Sequence, residues 1–132
     1  MTKIISPQAI DAAFTYLADR ARRVSLCEGA PTSFAQAATL KSAAGKSLGL
    51  LNITPGIGQG VFTLGAGTGL GRKLTIASLS NLPIQAAGTA DHVAILGDSE
   101  LLLVVNLIEL RTLAIGDTAT IASFSDEISE PV

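Results

Sequence analysis

The spacing of apolar positions changes near residue 23, and that change divides the chain into one helix and a run of strands. Ile10, Ala13, Phe14, Leu17, Ala18 and Ala21 recur at i, i+3, i+4 and i+7, which makes one apolar helical stripe. Ser6-Pro7 precedes them, with a hydroxyl at the N-cap and a proline at N1, where the absent N–H costs nothing. A helix over about residues 7–21 is predicted. Asp11 and Asp19 fall off the stripe, and Arg20, Arg22 and Arg23 lie near its C-terminus, where cations suit the helix dipole. Four turns are marginal alone, so the stripe must pack on something.

Past Arg23 the period is two. Val24 and Leu26 alternate with Ser25 and Cys27, and Gly29-Ala30-Pro31 closes that strand. Residues 32–46 are small and polar without a period and read as a long loop. Further strands are expected at 47–54, 60–64, 72–79, 84–87, 91–96, 100–109 and 118–124, separated by dense glycine and proline punctuation. Gly97-Asp98 fits a tight hairpin with glycine at positive φ, and Gly116-Asp117 marks another turn. Residues 101–105 are apolar without alternation, so both faces should be buried, under the helix or at a subunit contact. The acidic, proline-ended residues 125–132 read as a tail. The pattern is mainly β: an antiparallel β-sandwich or jelly roll of about seven or eight strands with one N-terminal helix. It predicts one domain over residues 1–132 with short terminal arms.

Composition narrows the function classes. At 132 residues one domain is expected, burying roughly two-thirds of its extended-chain surface. With 48% hydrophobic and 15% charged residues, the chain is neither disordered nor a nucleic-acid coat. One cysteine excludes an internal disulfide, and one cysteine with one histidine excludes an ordinary zinc site. The run at 101–105 is far too short to span a bilayer. MTKIISPQAI lacks the apolar stretch of a secretory signal, so a domain made in the cytosol is expected. Charge is uneven: residues 1–73 carry eight of the nine Lys and Arg against three acids, and residues 74–132 carry Arg111 against eight acids. Such a chain could associate with itself or with a charged partner, or its halves could interleave and cancel.

Reactive motifs are weak. LKSAAGKS at 40–47 approaches a phosphate-binding loop, but Leu40 stands where glycine is required. GAGTGLG at 65–71 runs into a strand rather than a helix, which suits a hairpin loop better than a dinucleotide site. Cys27, His92 and Asp91 have the residue types of a thiol-nucleophile site, on separate strands. A small buried thiol and a structural histidine are the plainer reading. The arginine group has no aromatic platform for stacking bases. No enzymatic activity, cofactor, metal or nucleic-acid partner is expected.

As a whole the chain resembles the small structural proteins of tailed-bacteriophage virions. The resemblance is carried by IISPQAIDAAFTYLADRA, VSLCEGAPTSFAQA, AAGTADHVAILGDSELLLVV and the ending GDTATIASFSDEISEPV. It is most like a capsid cement, or decoration, protein. The resemblance implies a rigid β-domain without an active site, present in many copies on the outer capsid surface of the virion after synthesis in the bacterial cytoplasm. Its partners would be the major capsid protein and itself, as a homodimer or homotrimer, with no membrane involved. Binding only the mature shell would stabilise that shell by mass action. Candidate contacts are one arm at Thr2, Lys3, Ile4 and Ile5 and another at Ile128, Glu130, Pro131 and Val132, with Arg20, Arg22 and Arg23 meeting an acidic shell. Alternatives are a head–tail joining or tail protein, and a small β-sandwich ligand-binding domain with its pocket near Cys27 and His92.

Overall fold

The computed structural model describes residues 6–67 and 71–128. Its first element is helix α1 (Pro7–Arg20), capped by Ser6, whose Oγ accepts the Ala9 N–H at 3.1 Å. Ile10, Phe14, Leu17 and Ala18 form its buried face. The helix ends one residue earlier than expected, so Arg22 lies beyond it and Arg23 opens strand β1 (Arg23–Cys27). Eight more strands follow among the described residues: β2 (Ser47–Asn52), β3 (Phe62–Ala66), β4 (Arg72–Ile76), β5 (Leu79–Pro83), β6 (Gly88–Leu96), β7 (Leu101–Leu113), β8 (Thr118–Ile121) and β9 (Phe124–Ile128).

These strands make an antiparallel β-sandwich. One layer has the order β2-β1-β6-β7, and facing it are the sheets β3-β4-β9 and β5-β8. Val24, Leu26, Leu48, Val93 and Ile95 from the first layer pack with Phe62, Leu74, Ile76, Leu82 and Ile121 from the second, and α1 adds Ile10, Phe14 and Leu17. Burying these branched side chains is the main source of stability. Neighbouring strands come from both ends of the chain. β1 pairs with β6, and β4 pairs with β9, where Lys73 stands opposite Glu127. The two charge-biased halves therefore interleave.

Five expectations need correction. Residues 32–46 are not one long loop: Ser33 caps a short helix, α2 (Phe34–Ala38), through its Oγ and the Gln36 N–H at 3.2 Å. This helix covers the second face of the first layer, where Cys27, Ala37, Ala94 and Leu96 form a smaller core with Leu101 and Val104 against it. Residues 101–105, expected to be buried on both faces, are only half-buried, with Leu102, Leu103 and Val105 against the main core and Leu101 and Val104 against the smaller one. The strand expected at 84–87 lies at β5 instead, because Gln85 and Ala86 donate their N–H groups to the Leu48 carbonyl on a different strand. The supposed tail contains β9, paired along β4, so Ile128 belongs to a sheet opposite Arg72 rather than to an arm. At the β6–β7 hairpin, positive φ is absent from Gly97, whose N–H closes a wider turn onto the Glu100 carbonyl at 2.8 Å. The turn at Gly116 does use positive φ, +95°.

The two long edges of the sandwich differ. At one, β2 and β5 approach so closely that a side chain on Gly49 would run into the Pro83 carbonyl. At the other, β7 pairs among the described residues only with β6 and stays apart from β8 and β9.

Candidate interaction surface

The open edge forms a cleft of about 500 Å³, walled by Val105 and Leu107 on one side and Ile121 and Phe124 on the other, with Leu26 and Ala90 at its floor. Its shape follows from β7. Asn106 stands opposite His92 and Arg111 opposite Ala90, so residues 107–110 bulge against Asp91 alone. Leu110 in this bulge is 67% exposed and Ile115 beyond it 71%. Glu109 and Arg111, flanking Leu110, also line the cleft; both are exposed, and their side chains have no hydrogen-bond or ion-pair partner among the described residues. The sequence pattern did carry this signal, as a lone leucine between opposite charges, but the expected strand ended at 109 and hid it.

The arginines do not act as one group. Arg20 stacks on the Tyr16 ring at 3.9 Å. Arg22 donates to the carbonyls of Asp19 and Ala21 and sits 3.7 Å from Asp98 in the β6–β7 turn. Arg23 lies over Phe34 of α2, 6.0 Å from the ring centre. Arg22 and Asp98 come from opposite halves of the chain, so part of the sequence-level asymmetry cancels here. Thr2, Lys3, Ile4, Ile5, Glu130, Pro131 and Val132 lie outside the described residues.

The candidate thiol group is partly assembled. Strand register sets Cys27 directly opposite His92, and His92 Nδ1 is 2.7 Å from Asp91 Oδ1. The thiol's own hydrogen-bond neighbour, however, is Ser25 Oγ at 3.4 Å, and burial pushes the Cys27 pKa up. A thiol held protonated in a small core is a poor nucleophile. The cleft lies on the opposite face of the sheet from Cys27, which corrects the expectation of a pocket near Cys27 and His92.

Asp91 and its neighbours serve the loop. Asp91 Oδ1 accepts the Gly29 N–H at 2.7 Å, and Glu28 Oε1 accepts the Thr89 N–H at 2.7 Å. Lys41 Nζ closes on Glu28 Oε2 at 2.6 Å. The Lys41 hydrogen bond, then the Thr89 N–H, holds the Glu28 carboxyl below the usual range. Burial alone would raise Asp91, but the hydrogen bonds from His92 and Gly29 outweigh it and the net shift is downward. These contacts clamp the segment carrying α2 onto β6. The phosphate-loop near-match at 40–47 belongs to the same segment and leads into β2, with no helix to present amides to an anion.

Among the described residues no three His, Cys, Asp or Glu side chains gather as a metal site, and no helix is long and apolar enough to cross a membrane. No protein-family model matches the chain, and neither the curated proteins nor the solved structures contain a match to it.

Proposed function

We propose that this protein is a structural component of a tailed-phage virion that binds the outside of the capsid and cements neighbouring shell subunits. The observation that carries this reading is the open edge, where the large apolar side chains of Leu110 and Ile115 are exposed and the charges of Glu109 and Arg111 have no side-chain partner among the described residues. Exposed large apolar side chains favour protein contact, and hydrated charges near them select the partner and its orientation. The supporting scaffold is suited to dense packing: a sandwich tied shut at β2–β5, with its loop segment clamped by Glu28 and Asp91. Contacts to the shell would come from Arg20 and the two chain ends, including Thr2 to Ile5 and Glu130 to Val132. Arg22 and Arg23 are half-buried beside Asp98 and Phe34, whereas Arg20 stays exposed on the Tyr16 ring.

Co-sedimentation with mature, empty capsids of the source virus tests this. Saturation at hundreds of copies per particle, with a raised capsid melting temperature, is the expected result. Binding at a dozen copies or fewer would move the protein to the neck or tail. A second reading, a ligand-binding domain, is favoured only by the cleft, whose volume falls within the range of small-molecule sites. Absence of capsid binding, with a small ligand held in that cleft, would establish it instead.

A further inference from the structure

We infer that the bulged edge of β7 is a two-fold contact between two copies of this chain. The inference rests on the protein-contact reading of this edge made above and assigns the edge to a second copy, which leaves shell contacts to Arg20 and the chain ends. Glu109 and Arg111 carry opposite charges one residue apart on the cleft face of β7, while exposed Leu110 between them points to the other face. A partner surface of a single sign would attract one of these charges and repel the other. A second copy meeting the first antiparallel, with the axis at Leu110, satisfies both: Glu109 faces the partner's Arg111, and Arg111 faces the partner's Glu109. The pattern continues outward, because the same axis sets Leu107 opposite the partner's Leu113, and both leucines are half-buried in one copy. Leu107, Glu109, Arg111 and Leu113 thus read the same in apolar and charged character from either copy, with the two signs exchanged. That is the self-complementarity an isologous interface demands.

The local structure suits such a contact. Among the described residues β7 pairs only with β6, so its outer edge carries backbone groups with no described strand beside them. A two-fold contact covers this edge in both copies at once, so association closes at two copies. The cleft wall continues the apolar surface through Leu107 and Phe124, giving the contact area to bury as well as charge to neutralise. The charge pairs set the register, and the apolar side chains supply most of the affinity.

The test is sedimentation equilibrium of the purified protein over a range of concentrations at low and high salt, without capsids. The wild-type chain should be a dimer that weakens as salt rises. Glu109→Arg and Arg111→Glu singly place like charges across the axis twice per dimer, and each should weaken association ~10-fold or more. The double variant Glu109→Arg with Arg111→Glu exchanges the signs and should restore the wild-type dimer. All these positions are exposed, and circular dichroism melting checks that each variant folds. A monomer at every concentration, a trimer, a dimer indifferent to the single changes, or a double variant that stays weak would each overturn the inference. Because no capsid is present, these outcomes are distinct from a failure of shell binding.

Discussion

Ser25 Oγ on β1 donates to the Ala37 carbonyl of α2 at 2.7 Å, and both residues are fully buried. This bond joins the second helix to the sheet. The same hydroxyl lies 2.8 Å from Ser47 Oγ on β2, so one small side chain serves three elements. Polar atoms in a closed core are tolerated because each finds a partner.

Replacing Ser25 with alanine removes that partner and leaves the Ala37 carbonyl and the Ser47 hydroxyl short of a hydrogen bond in a dry site. The expected cost is about 1–3 kcal/mol, read as a lower urea midpoint with an unchanged denaturant slope. Thr75→Ala, which removes an exposed hydroxyl 3.0 Å from Ser125, should cost no more than about 0.5 kcal/mol. Equal losses in the two variants would contradict this assignment.

Cys27 gives a prediction that separates a packed thiol from a reactive one. Its pKa is raised by burial, and its sulfur sits 3.4 Å from Ser25 Oγ. Attack on Ellman's reagent requires thiolate and access, so the native protein should react at least ~100-fold more slowly than the unfolded chain. His92→Ala should not slow the reaction further. A rapid native reaction that this substitution abolished would show a working Cys–His pair.

The same strand shows how far the pattern of residues could be read. Alternation of Val24 and Leu26 with Ser25 and Cys27 located β1 correctly, because a period of two follows directly from the pleat. It left the face of Ser25 and Cys27 with no element to cover it, although the Cys27 thiol itself reads as buried. What covers that face is α2, a helix of five residues whose sequence, Phe-Ala-Gln-Ala-Ala, is too short to show a stripe. The long helix α1 was legible because Ser6, Pro7 and four buried positions all agree. β5 and β9 were displaced for a different reason. Their places depend on close approaches, Gly49 against Pro83 and Arg72 opposite Ile128, which join residues far apart in the chain. The candidate surface was hidden likewise, since a bulge at 107–110 is defined by the register of β6 and not by β7 itself.

The clamp on the α2 segment should respond to acid. Glu28 accepts from Thr89 and pairs with Lys41, and Asp91 accepts from Gly29 and His92, so both carboxylates are held below their ordinary pKa in the folded chain. The unfolded chain therefore binds protons first as pH falls. The stabilisation is present above the ordinary carboxylate range, about pH 4, and is lost as pH drops through the depressed folded values. Protection of the Gly29 and Thr89 amides from hydrogen exchange, corrected for intrinsic rates, should be high at about pH 6 and much lower at about pH 3. Glu28→Gln keeps an acceptor for the Thr89 N–H but loses the charge that holds Lys41. It should lower Thr89 protection at about pH 6 and flatten its fall with acid, while leaving the Gly29 response to Asp91 in place. Asp91→Asn should do the converse. If both amides stayed protected at about pH 3, the clamp would be held by packing of α2 against Cys27 and Leu96 rather than by its carboxylates.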